Sequence, residues 1–280
     1  MRVGRFHADG QDRIGVFTDD SVRDIGDEFE SFRDLLNRPE DVSDVEGETF
    51  DLDKITYLPP TTETNAVYCA ALNYEAHAEE SDIAVPEPPL IFLKLPQTLI
   101  GHEQPISYHT RITDEIDYEA ELAAVIGEPA RHVSTEEALE YVAGYTILND
   151  TSARDLQFGL EVGDDDMLDW FSGKTLKDTT PVGPYVVIDE IDDPQRLDIS
   201  STVNGETLQD DNTERMIRSV AELVSFVSSR VELSPGDIIA TGTPEGVGTF
   251  QDIKLEEDDV VEVDVEEIGT LVNPVVEVNE

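Results

Sequence analysis

Short apolar runs bounded by turn-forming residues set the pattern of this chain. Strand-like segments fall at 66–72, 90–94, 117–126, 143–149, 181–188, 237–241, 260–265 and 270–277. In Val261-Glu262-Val263-Asp264-Val265-Glu266, strict alternation predicts one buried and one solvated face. Leu122-Ala123-Ala124-Val125-Ile126-Gly127 is apolar at successive positions and predicts a buried strand. Asp9-Gly10 predicts a turn between strands at 2–7 and 13–17. Helical patterns are few. Ser134 through Glu137 reads as a capping box opening a short helix through Val142. Thr213 reads as the cap of a helix with Met216, Ile217, Val220, Val224 and Val227 on one face. Leu58-Pro59-Pro60-Thr61-Thr62 reads as a linker. The expectation is a small N-terminal β-rich domain over 1–60 and a β-rich α+β domain, sandwich or roll, over 61–280.

One strand carries chemistry. In Asp117-Tyr118-Glu119-Ala120-Glu121, Glu119 and Glu121 share a face, because strand side chains alternate. Chance alone yields roughly fifteen acidic-x-acidic pairs in a chain this acidic, so spacing by itself says little. The apolar run that follows sets this pair apart. Two carboxylates on a buried face repel and lose hydration, and a cation between them relieves both costs. Asp150 ends a second apolar strand, Gly144-Tyr145-Thr146-Ile147-Leu148, and could supply a third oxygen.

Composition changes the picture in three ways. The net charge of −46 makes nucleic acid and anionic membrane surfaces poor partners. With 39% hydrophobic residues in periodic segments, this is not a disordered chain. The charge suits a fold adapted to very high salt, where screening acts within ~3 Å. The basic residues agree: 13 are Arg and only 5 are Lys. Against that scarcity, Lys94 after Ile91-Phe92-Leu93 and Lys174 between Gly173 and Thr175 stand out. Each is a candidate functional cation or one half of a structural ion pair. Cys69, the single cysteine, lies in Val67-Tyr68-Cys69-Ala70-Ala71-Leu72 and reads as an inert core thiol. No signal peptide and no apolar run of transmembrane length is evident, so a soluble cytoplasmic protein is expected.

Other candidates are looser. His77 and Glu80 are neighbours at i and i+3 if 73–80 is helical, which suits a general base; a solvated histidine is the plainer reading. Thr241-Gly242-Thr243-Pro244-Glu245-Gly246-Val247-Gly248 follows a strand, and its glycines would let backbone approach a ligand. It lacks the ending of a phosphate-binding P-loop. Gln157 could add a donor near Asp150. His7, His109 and His132 read as surface residues, and His102 is ambiguous.

Taken in order, nine motifs resemble the fumarylacetoacetate hydrolase family over about residues 60–280. They are Leu72-Asn73-Tyr74-x-x-His77-x-x-Glu80, Phe92-x-Lys94, Asp117-Tyr118-Glu119-x-Glu121-Leu122, Gly144-Tyr145 through Asn149-Asp150, Ser152-Ala153-Arg154-Asp155-x-Gln157, Gly173-Lys174, Pro181-x-Gly183-Pro184, Val203-Asn204-Gly205 and Thr241-Gly242-Thr243-Pro244-x-Gly246-Val247-Gly248. The resemblance implies a mixed β-sandwich roll, usually a homodimer, that binds Mg²⁺ or a similar ion such as Mn²⁺ or Ca²⁺. It implies Glu119, Glu121 and Asp150 as metal ligands, and His77 with Glu80 as a water-activating dyad on a mobile lid. Lys174 would stabilise developing negative charge, while Tyr74, Lys94, Gln157 and Thr243 would line the substrate site. Two segments depart from the family pattern: Glu75-Ala76 before the histidine, and Thr175-Leu176-Lys177 where Ser-Phe-Asp is common. Both bear on substrate identity and not on the metal site.

The function expected from these residues is a metal-dependent hydrolase acting on a small 2-oxo acid. It would cleave a C–C bond in acylpyruvate-type 1,3-diketo acids, as in the catabolism of aromatic compounds. The alternative on the same site is a 2-oxo acid decarboxylase, hydratase or tautomerase. A catalytically silent binding protein is the third reading. Retention of the three acids, His77 and Lys174 argues against it.

Overall fold

The computed structural model describes residues 1–42, 45–60, 65–162 and 165–278. Two sheets dominate. The larger one orders its strands as Thr49–Asp51, Ser21–Asp24, Gln11–Phe17, Arg2–Ala8, Thr180–Val187, Val142–Asn149, Ala120–Ile126, Ile238–Ala240, Val67–Ala71 and Leu90–Lys94. Leu99–Ile100 pairs in parallel with Thr180–Pro181. The smaller sheet runs Glu206–Asn212, Asp198–Val203, Val260–Val265, Gly269–Glu277, Ile106–Tyr108. The expected β-rich α+β sandwich roll is what the chain forms.

The central strand shows why its sequence is apolar at every position. Leu122, Ala124 and Ile126 pack with Val261, Val263 and Val265 of the smaller sheet. Ala123 and Val125 face the other way, into a core shared with Phe29, Phe32 and Leu35. A strand covered on both faces has no solvated side to mark with polar residues. Val260–Val265 is the contrasting case: its valines at 261, 263 and 265 are buried and Asp264 is exposed.

The Asp9-Gly10 hairpin forms as expected. Both residues have positive φ, 50° and 77°, as a tight turn between right-twisted strands requires. The N-terminal strands join the larger sheet through Arg2 and Val3, which pair with Val187 and Val186. Of the expected linker, Leu58 closes the strand Thr56–Leu58, while Thr61 and Thr62 lie outside the described residues.

Two helices differ from expectation. At 134–142, the Ser134 hydroxyl bonds the Glu137 carboxylate, and only a 3₁₀ turn, Ala138–Tyr141, follows. Val142 already starts a strand, because its neighbours are needed against Ala120–Ile126. At 213–227 the chain makes a 3₁₀ turn, Thr213–Arg215, and the α-helix begins only at Val220. Ser219 and Glu222 form the true capping box. Met216 instead bridges to Tyr74, which holds this connection extended. The strand expected over 117–126 is split, Ile116–Asp117 and Ala120–Ile126, around Tyr118 and Glu119.

Candidate metal centre

Register carries three acids to one place. Ala120–Ile126 pairs antiparallel with Val142–Asn149, Ala120 opposite Asn149. Asp150, one residue on, therefore lies beside Glu119, and its N–H donates to the Glu119 carbonyl at 2.9 Å. The Asn149 side chain accepts from the Glu119 N–H at 2.9 Å. On the other side, Ala123 pairs with Ala240, so the glycine loop after Ile238–Ala240 runs past Glu121. The Gly242 N–H donates to Glu121 Oε2 at 2.8 Å. Gly242 has φ of 90°, and a Cβ there would sit 2.9 Å from the Ala70 carbonyl oxygen, so the approach needs glycine.

Glu119, Glu121 and Asp150 each offer an oxygen within 4.8 Å of the others. They are 6%, 1% and 0% exposed. Three cations surround them. Lys174 Nζ donates to Glu119 Oε1 at 3.0 Å and Asp150 Oδ2 at 2.7 Å. Arg154 Nη2 donates to Glu119 Oε1 at 2.6 Å, and its Nε to Asp117 Oδ2 at 2.8 Å. Lys94 Nζ is 2.9 Å from Asp150 Oδ1, but its hydrogen bonds go to the Thr151 carbonyl and Thr180 Oγ1. Asp150 Oδ1 is left without a hydrogen bond among the described residues.

The electrostatics divide the acids. Burial alone would raise the Glu119 carboxyl, but Lys174, Arg154 and His77 hold it well below the ordinary range. Burial, then Asp150 and Glu119, push the Glu121 carboxyl well above it, against one backbone donor at Gly242. Burial would lower the Lys174 ammonium, yet Asp150 and Glu119 keep it above its usual value. Glu121 thus lacks a contacting cation among the described residues, and Asp150 has a spare buried lone pair. An all-oxygen donor set of this kind fits a hard divalent ion, which Glu119, Glu121 and Asp150 would hold.

Of the three acids, Glu119 lines a cavity of about 640 Å³ including its open mouth. Glu119, His77, Lys174, Gln157 and Thr243 line it, so five of the expected site residues meet there. His77 sits on the helix Glu75–Ser81, and its Nδ1 is 2.7 Å from Glu80 Oε1. Glu80 Oε2 accepts the Gly246 N–H at 3.0 Å, tying this helix to the glycine loop. Lys174 ends the short helix Trp170–Lys174, capped by Asp169. A Cβ on Gly173 would meet the Gln157 Cβ at 2.5 Å, so glycine lets the two segments touch. Tyr74, Glu80, Lys94, Glu121 and Asp150 are not among the cavity's lining residues. Tyr74 is fully buried with an unpartnered hydroxyl, and Lys94 serves Asp150 from beneath.

Arg154 and Asp117 matter more than sequence reasoning indicated. Arg154 joins Asp117 and Glu119, and Asp117 Oδ1 also accepts the Gly248 N–H at 2.7 Å. The scarcity of basic residues that singled out Lys94 and Lys174 was a usable signal for Arg154 too. Cys69 is fully buried, and burial pushes its thiol well above its ordinary pKa, as an inert core residue requires. His102 is no ligand: its Nδ1 accepts the Val272 N–H, and burial lowers it to about 4.

The family described as Fumarylacetoacetate (FAA) hydrolase C-terminal matches residues 66–276. The mitochondrial oxaloacetate tautomerase of Rattus norvegicus is 39% identical over 226 residues, 80% of this chain and 70% of that one. The fumarylacetoacetate hydrolase of Exiguobacterium antarcticum is 34% identical with a TM-score of 0.85, covering 99% of this chain and 100% of that one. Maleylpyruvate hydrolase from Sphingobium sp. SYK-6, solved with manganese(II) and pyruvate, is 26% identical with a TM-score of 0.81 and full coverage of both chains.

Proposed function

Because this chain belongs to the fumarylacetoacetate hydrolase family, we propose that it is a divalent-metal-dependent hydrolase cleaving a C–C bond in acylpyruvate-type 1,3-diketo acids. The observation that carries this reading is the His77–Glu80 pair, 2.7 Å apart, with His77 facing the cavity that holds Glu119 and Lys174.

A divalent ion on Glu119, Glu121 and Asp150 would supply Lewis-acid stabilisation of charge developing at the 2-oxo acid end. The protein's own groups do the rest. With Nδ1–H donating to Glu80, the His77 Nε2 lone pair is free to take a proton from water. The resulting hydroxide adds to the distal carbonyl. The C–C bond then breaks, its electron pair stays on the pyruvate carbon, and the proton held by His77 returns to that carbon. Pyruvate and a carboxylic acid leave. Two further groups are preset as donors. Thr243 Oγ1 already accepts from Gln209 Nε2 at 2.8 Å, leaving its O–H for a ligand. Gln157 Oε1 already accepts from Arg154 Nη1 at 2.8 Å, leaving its NH₂. Both suit the carboxylate of a 2-oxo acid.

A second reading has a specific basis: the rat relative is named an oxaloacetate tautomerase. There His77 would shuttle a proton between carbon and the enol oxygen without bond cleavage. Incubating the protein and Mn²⁺ with acetylpyruvate, fumarylpyruvate and oxaloacetate separates the two. Hydrolysis releases pyruvate and acetate from acetylpyruvate. Loss of the oxaloacetate enol absorbance, with no acid released from any acylpyruvate, would replace hydrolase by tautomerase.

We also propose that the fold is adapted to high salt, from its charge of −46. The melting temperature should climb between about 0.1 M and molar KCl as screening grows. A flat or falling dependence sinks the idea.

A further inference from the structure

The cavity has a polar floor and apolar walls. Glu119, Arg154, Gln157, Lys174, Thr243, His77 and Ser81 supply the polar groups. The remaining lining is largely hydrocarbon, including Ile83, Leu90, Phe158, Leu168 and Phe250. Phe92 and Trp170 stack at 4.7 Å and form one side, with Lys174 Nζ 5.1 Å over the Phe92 ring.

Cations in this cavity are already committed. Arg154 directs Nε to Asp117, Nη1 to Gln157 and Nη2 to Glu119. Lys174 Nζ serves Glu119, Asp150 Oδ2 and the Asp150 carbonyl. The three segments that build the walls cannot supply another lysine or arginine, and their one histidine, His77, is paired with Glu80. No Lys or Arg occurs in 72–93, in 155–173 or in 241–253. The helix Glu75–Ser81 carries Glu75, Glu79 and Glu80, and Asp82 follows it. A second carboxylate on a substrate would therefore lose its water against hydrocarbon and acids with no lysine or arginine left to receive it.

From this we propose that the site selects 2-oxo acids whose far end is uncharged and apolar, and rejects dicarboxylic ones. The inference rests on the reading of the site as one that takes 2-oxo acids, and it deepens that reading by naming the acyl group. The neutral donors of Gln157 and Thr243 suffice for the one carboxylate every such substrate has. The apolar walls then reward chain length, about fourfold per buried methylene.

The test uses two uncleavable probes of equal carbon count, 2-oxohexanoate and 2-oxoadipate. Each is titrated against the whole protein with saturating Mn²⁺, and binding is read as the rise in melting temperature, so no turnover is needed. The monocarboxylate should bind at least about tenfold more tightly. Leu168→Arg, a change at an exposed position of the wall, should narrow that gap by placing a cation in the cavity. Equal or tighter binding of 2-oxoadipate to the unaltered protein overturns the inference, as does failure of both probes to bind. Cleavage is scored separately. If 2-oxohexanoate is preferred but no acylpyruvate is hydrolysed, the hydrolase reading falls and the selectivity stands. If acylpyruvates are hydrolysed but the dicarboxylate is preferred, the reverse holds.

Discussion

Replacing His77 by alanine is expected to lower the kcat for acylpyruvate cleavage by ~10²-fold or more, the usual scale for losing a general base. The helix should survive. His77 is on a short surface helix, Glu75–Ser81, whose own buried contact is Ala78. KM should change little, because Glu119, Glu121, Asp150 and Lys174 remain to hold the 2-oxo acid. Steady-state kinetics on the variant separates the two constants. A variant that keeps most of the parent kcat would contradict the base role and return His77 to an ordinary partner of Glu80.

Glu121→Gln should act on the metal and not on the fold. Glu121 is the acid with no contacting cation among the described residues, and burial with Asp150 and Glu119 makes its charge costly. Neutralising it removes repulsion from the metal-free protein, so that form should melt at or above the metal-free parent. The same change removes one charged ligand of three, and Mn²⁺ affinity should fall at least about 10²-fold, because ligand charge count sets affinity at such sites. Calorimetric titration gives the affinity and thermal melting gives the stability. Unchanged Mn²⁺ affinity would remove Glu121 from the ligand set. A large loss of metal-free stability would make it a structural acid. The choice of Glu121 over Glu119 is deliberate: Glu119 anchors both Lys174 and Arg154, so its variant would confound charge pairing with metal binding.

Much of this site was legible in the chain. The buried acids stood out because Leu122-Ala123-Ala124-Val125-Ile126 leaves no solvated face, and the fold covers both faces of that strand. Lys94 and Lys174 stood out because a chain with 5 lysines has few to spare, and both are buried against acids. What failed was local reading where tertiary pairing decides. The apolar periodicity through Met216 and Ile217 suggested helix, yet those residues connect extended chain to the Tyr74 segment. The strands Asp198–Val203 and Glu206–Asn212 went unmarked because the polar Ser201 is buried between Ile199 and Val203, and the polar Gln209 is the buried member of the second strand. Asn204-Gly205 between them is a positive-φ hairpin turn and was the available signal. Scarcity of basic residues marks Arg154, but not its partners, since Asp117 and Glu119 reach it only through antiparallel pairing of Ile116–Asp117 with Ser152–Ala153. The apolar wall was equally hidden: Phe92, Trp170 and Phe250 lie far apart in sequence and meet only across the cavity.

The most direct test of the account is metal removal and return. The protein is stripped with a chelator, assayed for acylpyruvate cleavage by pyruvate release, then reassayed after addition of Mg²⁺ or Mn²⁺. The account predicts loss of cleavage and of thermal stability on stripping, and recovery of both when the ion is restored to Glu119, Glu121 and Asp150. Full cleavage activity in the stripped protein would contradict it.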